Sequence, residues 1–321
     1  MTRPAPGPVR VLYLGGWGRS GSTLLDRMAG QLPGFASLGE VREIWQSGLT
    51  ENRPCGCGTP FRSCEFWTRV GIEAFGGWHR LDLGEVLRMW RSIDRPWALP
   101  LLMAPERFQA WSRSLQAYVG VLDSLYRAIG RVSGARVLID SSKLPSHGLL
   151  LRRVAGTDLR IVHLVRDSRG VAYSWAKRVR DRSGGEEGVY MERYRPLAAA
   201  ARWLLYNEPT RLFRSMELPY LLTRYEDVVE HPRESLIAVA AHAGVEVKLG
   251  DLGFVRGREV TLEVDHTVDG NPLRFAVGAV DLRLDEEWRL RMRSRDRLLV
   301  TALTLPRLRS YGYLSKNGIN G

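Results

Sequence analysis

Cysteine, histidine and long apolar runs are all scarce in this chain. Its 321 residues include 3 cysteines and 6 histidines, and no apolar stretch nears the roughly 20 residues that span a bilayer. Three cysteines make a poor disulfide framework. Cys55-Gly-Cys57 and Cys64 offer three thiols where structural zinc takes four ligands, and His79 is the nearest imidazole in sequence. The expectation is therefore buried thiols or a local disulfide, and no metal. The histidines form no ligand-spaced pair, and His163 reads as a strand residue. Val9 to Leu14 is too short for a secretory signal and leads into Gly15–Ser20 instead of a cleavage site, so a cytoplasmic chain without a membrane span is expected. Acidic residues are outnumbered, 35 against 47 basic, leaving a net charge of +12. Such a balance favours polyanions. The arginines are scattered and no RNA-binding signature, zinc finger or basic heptad helix accompanies them, which argues against nucleic acid and leaves anionic lipid or a highly phosphorylated small molecule.

A lysine is missing where it would matter most. In Val11-Leu-Tyr-Leu-Gly-Gly-Trp-Gly-Arg-Ser-Gly-Ser-Thr-Leu-Leu25, Gly16 and Gly21 have P-loop spacing and Thr23 stands at the magnesium-binding hydroxyl position. Ser22 occupies the lysine position, and the nearest cation is Arg19, inside the turn. Backbone amides at a helix N-terminus still cradle an anion. Without the lysine that reaches the β- and γ-phosphates, a nucleoside triphosphate is not the expected ligand.

Residues 1–8 read as a disordered lead-in and 315–321 as a flexible tail, with one domain over 9–314. Apolar runs at Val9–Leu14, Arg136–Ile139, Leu159–Val165 and Tyr220–Thr223 alternate with helical patterns. The expected fold class is α/β: a P-loop NTPase-like parallel sheet flanked by helices, with a helical insertion over about 41–133. Within that insertion, apolar residues from Phe108 to Ile129 recur at three- and four-residue steps, predicting one long amphipathic helix. A helix from near Val189 is expected to end at Pro209. Trp67, Trp78, Trp90, Trp97 and Trp111 crowd the insertion, mostly as packing, with an apolar acceptor pocket as the functional alternative. Lys177 to Arg195, with Gly184-Gly185, is either a mobile lid or a solvated loop.

The second informative segment is Ile161-Val-His-Leu-Val-Arg-Asp-Ser-Arg-Gly-Val-Ala-Tyr-Ser174. A buried strand ends at Arg166, and Ser174 lies about two turns into the following helix. An arginine at a strand end with a hydroxyl on the next helix grips a terminal phosphate.

Together these segments resemble the sulfotransferases that use 3′-phosphoadenosine 5′-phosphosulfate (PAPS). Gly18-Arg19-Ser20-Gly21-Ser22-Thr23 is similar to that family's 5′-phosphosulfate loop, and the segment from Val165 to Ser174 to its 3′-phosphate motif, in which Arg166 and Ser174 hold that phosphate. Tyr225-Glu-Asp227 resembles a landmark whose tyrosine lies near the adenine. Asp269-Gly270-Asn271-Pro-Leu-Arg274 falls where members close a Gly-containing loop over the 3′-phosphate. The resemblance implies PAPS as co-substrate, no catalytic metal, and an acceptor that is a small molecule, carbohydrate, lipid or peptide. Catalysis would need cations around the transferring group, and Arg19 and Lys143 are the candidates. Leu138-Ile-Asp-Ser-Ser-Lys-Leu-Pro145 is similar to the family's Lys-Thr-His-Leu-Pro stretch, but Lys143 stands at the place of the cytosolic members' histidine base. Leu38-Gly-Glu-Val-Arg42 resembles the Gly-Glu-Thr-Arg stretch of the tyrosylprotein-type members, which makes Glu40 the expected base, near Arg42, with Asp140 in reserve. A P-loop nucleoside or sugar kinase and a non-catalytic nucleotide-binding module are the alternatives.

Overall fold

Strand β1 (Val9–Gly16) is buried from Val11 onward and sends alternate side chains to opposite faces of the sheet. Val11 and Tyr13 pack into one core, Leu12 and Leu14 into another. That two-sided burial makes β1 a central strand. In the computed structural model, which describes residues 8–104, 109–177 and 192–314, it lies in the middle of a five-stranded sheet. β2 (Phe35–Ser37), β3 (Val137–Lys143), β4 (Thr157–Val165) and β5 (Tyr220–Arg224) complete the sheet. The order is β2-β3-β1-β4-β5, and all pairings are parallel. A second sheet, β6 (Val255–Arg256), β7 (Glu259–Leu262) and β8 (Gly278–Asp281), is antiparallel.

Helices cover both faces, as parallel sheets require. They run in chain order α1 (Ser22–Ala29), α2 (Glu65–Phe75), α3 (Leu83–Ile93), α4 (Leu99–Met103), α5 (Gln109–Ser133), α6 (Pro145–Leu151), α7 (Ser168–Ala176), α8 (Pro196–Leu212), α9 (Tyr225–Glu230), α10 (Pro232–His242), α11 (Glu287–Arg291) and α12 (Ser294–Ser310). On the Tyr13 face lie α2, α3 and α5, with Leu115, Tyr118, Leu122, Leu125, Tyr126 and Ile129 of α5 buried at the expected helical steps. On the Leu12 face, Leu24, Leu25 and Met28 of α1 join α9, α10 and the small sheet. Each such side chain contributes about 1.5–3 kcal/mol on burial. No described helix is long and apolar enough to cross a membrane.

One local expectation fails. Helix α8 begins at Pro196 and runs through Pro209 to Leu212, so Pro209 does not end it. A proline near the last turn forfeits one backbone hydrogen bond, and Thr210 and Phe213 remain fully packed just beyond it. Val189, with 178–191 of the suggested lid, lies outside the described residues, as does Phe108. The tryptophans of the insertion serve mostly as packing, as expected, and none lines the site: Trp67 and Trp90 are core residues, Trp78 and Trp111 pack against that core, and Trp97 is 62% exposed. β2 and the small sheet went unpredicted, being strands of two to four residues, too short for alternation such as that of β7 to stand out.

Candidate functional site

Parallel strands put all their carboxyl ends on one edge, where ligands of open α/β sheets sit. From that edge come the turn after β1 with Arg19, the turn after β2 with Glu40, the end of β3 with Lys143, the end of β4 with Arg166, and Tyr225 after β5.

The first turn is shaped by backbone geometry. Gly21 caps α1 with φ +82, and a Cβ there would stand 2.5 Å from the Tyr225 ring. Glycine is the residue that meets both demands. The first helical bond runs from Leu25 N–H to the Gly21 carbonyl at 3.0 Å, leaving the amides of Ser22, Thr23 and Leu24 without an intrahelical acceptor. Arg19 also has a positive φ, +68, a conformation costly for a residue with a side chain and common at functional turns. Its guanidinium lies 5.1 Å from the Trp175 ring centre.

Arg166 reaches the same turn. Its Nη1 donates to the Arg19 carbonyl at 3.0 Å, and its Nη2 donates to the Asp285 carbonyl at 2.8 Å and pairs with the Asp285 carboxylate at 3.2 Å. The guanidinium lies 4.5 Å from the Tyr225 ring centre. Burial, and then the charge of Arg166, lower the Arg19 pKa. Two guanidiniums that repel each other are an arrangement that a bound anion relieves.

Two cavities open here. The smaller, about 210 Å³, is lined by Gly21, Arg166, Ser174, Tyr225 and Leu273 among others. The larger, about 410 Å³, is lined by Gly18, Glu40, Arg42, Lys143, Asp269 and Gly270 among others. Both are lined by Arg19, Ser22, Thr23 and Asn271, so they form one groove. The larger cavity also has an aromatic wall. Trp17 stacks on Trp175 with centroids 5.1 Å apart, Tyr194 lies 4.9 Å from Trp175, and Tyr206 lies 6.1 Å from Trp17.

Glu40 and Lys143 meet in the larger cavity as an ion pair. Lys143 has φ +67 and turns its Nζ back to donate to the Ser141 carbonyl at 3.0 Å. Burial lifts the Glu40 carboxyl above its ordinary value, against the opposing pull of Lys143. Glu40 is fixed by its neighbours: Gly39 forms a parallel bridge with Val268, and Glu40 N–H donates to the Val268 carbonyl at 2.7 Å. Arg42 is held elsewhere, with Glu43 and by Asp94, whose carboxylate is 3.3 Å and carbonyl 3.0 Å away.

Three sequence candidates lie outside the groove. Arg274 is fully buried, and its Nη atoms donate to the carbonyls of Thr267 (3.1 Å) and Pro54 (2.7 Å). It stitches loops together, and Asn271 and Leu273 are the members of its segment that reach the smaller cavity. Ser20 is 1% exposed and lines neither cavity. Asp140, the reserve base, is fully buried. It accepts bonds from Ser142 (N–H at 2.9 Å) and the Tyr126 hydroxyl (2.5 Å) and lies 3.3 Å from His147 Nε2. Its pKa is lowered, because the bonds from His147 and its neighbours outweigh burial. A saturated, enclosed carboxylate cannot reach an acceptor's proton.

Sequence reasoning missed two supporting groups. Asp26 of α1 is buried and accepts from Ser37 Oγ (2.7 Å), Gly39 N–H (3.0 Å) and Ser141 Oγ (2.7 Å). It thereby ties the turns that carry Glu40 and Lys143 to the first helix. His147 lies between Asp94 and Asp140, with its Nδ1 2.8 Å from Asp94. A carboxylate among apolar helix residues, five positions after the last glycine of the turn, was the available signal for the first. His147 had no spacing signal, since its partners are 53 and 7 residues away.

A groove of this kind at the carboxyl edge of a β2-β3-β1-β4-β5 sheet defines a P-loop NTPase-like architecture. Among solved structures, the sulfotransferase domain of the Synechococcus PCC 7002 olefin synthase matches with 21% identity over 96% of this chain and 97% of that one, at a TM-score of 0.50. The sulfotransferase domain of the curacin biosynthetic pathway matches at 16% identity, 94% and 99% coverage and a TM-score of 0.46. No protein-family profile and no curated protein sequence matches the chain. The chain has the sulfotransferase fold, on the strength of the first of these structures.

Proposed function

We propose that this protein is a sulfotransferase that moves a sulfuryl group from PAPS to a hydroxyl or amine of a small-molecule, carbohydrate, lipid or peptide acceptor. The observation that carries the reading is the contact between the Arg166 guanidinium and the Arg19 turn, 3.0 Å, within one groove. Cations along that groove, Arg166 in the smaller cavity, Lys143 in the larger and Arg19 in both, suit a ligand with a phosphate at each end of an adenosine.

In this reading the amides of Ser22, Thr23 and Leu24 with Arg19 hold the 5′-phosphosulfate, and Arg166 with Ser174 holds the 3′-phosphate. The ring of Tyr225 walls the same cavity, and Asn271 and Gly270 edge the groove. The residues fit such a donor: the cradle of Ser22, Thr23 and Leu24 and the side chains of Arg166 and Ser174 line the same smaller cavity. Bound PAPS supplies an activated sulfuryl group on a phosphate leaving group. Glu40 accepts the acceptor's proton, a task its raised pKa suits. Lys143 holds Glu40 in place. An ammonium carries three donors, and its contacts with Glu40 and Ser141 use two, leaving one for a developing negative charge. Trp17, Trp175, Tyr194 and Tyr206 give the acceptor an aromatic wall.

Thermal shift with 3′-phosphoadenosine 5′-phosphate against ATP-magnesium tests the reading. The bisphosphate is expected to stabilise the chain, by about 2.7 kcal/mol at a hundredfold excess over Kd. Preference for ATP-magnesium would reject the reading in favour of a kinase.

A further inference from the structure

The three cysteines do not pair, and the structure gives them a fourth companion from the far end of the chain. Cys55, Cys57 and Cys64 are free, and their sulfurs lie with a ring nitrogen of His266 within 4.8 Å of one another. His266 is not the imidazole nearest in sequence. It arrives from the segment between β7 and the Asp269–Asn271 turn, about 200 residues later.

We infer that Cys55, Cys57, Cys64 and His266 form a structural zinc site. Zinc takes four S and N ligands tetrahedrally, with Zn–S about 2.3 Å and Zn–N about 2.0–2.1 Å. Those lengths require ligand–ligand edges of about 3.8 Å between sulfurs and about 3.5 Å between sulfur and nitrogen. Cys57 Sγ and Cys64 Sγ are 3.7 Å apart, and His266 Nδ1 is 3.3 Å from Cys64 Sγ and 3.8 Å from Cys55 Sγ. These three distances lie close to tetrahedral edges, and all four ligand atoms lie within 4.8 Å of one another. Three thiolates select a soft, four-coordinate ion, and a closed ligand set leaves no open position for chemistry.

The surroundings are built to hold the ligands. His266 stacks flat on Phe66, with centroids 4.9 Å apart and planes 7° apart, and its carbonyl accepts from Trp67 Nε1 at 2.9 Å. Its Nδ1 faces the sulfurs, so its proton belongs on Nε2. The Thr59 hydroxyl lies 3.0 Å from Cys57 Sγ, a donor for a thiolate. Gly56, between two of the ligands, donates to the Thr267 carbonyl at 3.0 Å, and a Cβ there would stand 2.3 Å from the Asp265 carboxylate. Only glycine lets the Cys-Gly-Cys turn lie against the His266 segment this closely.

The placement gives the site a purpose. Two residues after His266, Val268 is hydrogen-bonded to Leu38 and Glu40, and Asp269 follows it at the rim of the groove. A zinc ion would anchor the segment that positions Glu40.

The test uses the untagged full chain from zinc-supplemented culture. Mass spectrometry of metals should find about one zinc per chain, released when a mercurial blocks the thiols. Cobalt added after zinc removal should give thiolate charge-transfer bands and the intense visible bands of tetrahedral cobalt. Cys64→Ser and His266→Asn should abolish both signals, and Cys57→Ser, at the rim, should weaken them. If these variants fold poorly, the cobalt spectrum of the unmodified chain decides alone. Metal-free protein with no cobalt spectrum, or an intact mass showing a Cys57–Cys64 disulfide, would overturn the assignment. None of these readouts depends on PAPS binding or turnover.

Discussion

Glu40 and Asp140 are carboxylates beside a basic side chain, one half-buried at a cavity and the other fully buried, and their surroundings push them in opposite directions. Asp140 shares His147 with Asp94 and also takes bonds from Tyr126 and Ser142, so its carboxyl is held below its usual value. Arg42, Ser146 and His147 hold Asp94 low as well. Glu40 has Lys143 and a cavity, and burial lifts it. The enclosed cluster gives each carboxylate oxygen at least one donor and is suited to holding β3 and α6 against the insertion. The open pair is short of partners, and a group short of partners is the one able to take a proton from something else.

The largest break in this comparison is Glu40→Gln. It keeps size and shape and removes the proposed base, and kcat/KM for the proposed sulfuryl transfer should fall by about 10²- to 10⁴-fold. The bisphosphate thermal shift should be unchanged. The proposed activity of the unmodified chain should rise with pH through a value above the ordinary carboxylate pKa, because a lifted Glu40 stays protonated for longer. Lys143→Met removes the strongest influence opposing that lift and should move the acid limb to higher pH. An unchanged limb would separate Lys143 from the base.

The closed cluster should break differently. His147→Ala leaves Asp94 and Asp140 buried without their shared cation, at a cost of about 3–5 kcal/mol in denaturant unfolding. Burial pulls the His147 pKa down, but Asp94 and Asp140 push it up further, to about 9, from an ordinary 6.5. A pKa raised by folding contributes stability that is complete below the unfolded value and lost as pH rises through the folded one. The gap between wild type and variant should therefore be greatest below pH 6.5 and shrink as pH passes about 9. A gap flat with pH would mean that the cavity left by the ring, not the charge, sets the cost.

Which parts of this could be read in advance follows from the same contrast. Motifs carried by contiguous backbone were legible: the glycine spacing of the first turn, the strand running into Arg166, and the apolar steps of α5 all express local geometry. Groupings made by the fold were not. Asp26 meets Ser141, His147 meets Asp94, and His266 meets Cys64, across separations of 115, 53 and 202 residues. Arg274 was assigned to the groove because its segment is; its buried side chain points the other way, into loop carbonyls. Proximity in sequence located the segment and gave no information about which of its side chains faced the groove.

The smallest break tests whether the two cavities behave as one groove with a binding end and a reacting end. Ser174 lines the smaller cavity with Arg166 and is absent from the lining of the larger. Its hydroxyl is a single neutral donor, so Ser174→Ala should cost about 0.5–1.5 kcal/mol of bisphosphate affinity, a two- to twelvefold rise in Kd by calorimetry. Arg166→Ala should cost more, about 1.5–3 kcal/mol, because its hydrogen bonds carry charge. At saturating donor, Ser174→Ala should leave kcat close to wild type, the reverse of Glu40→Gln. A variant that lowered kcat without raising Kd would place Ser174 at the reacting end, and the division of labour between the two cavities would fail.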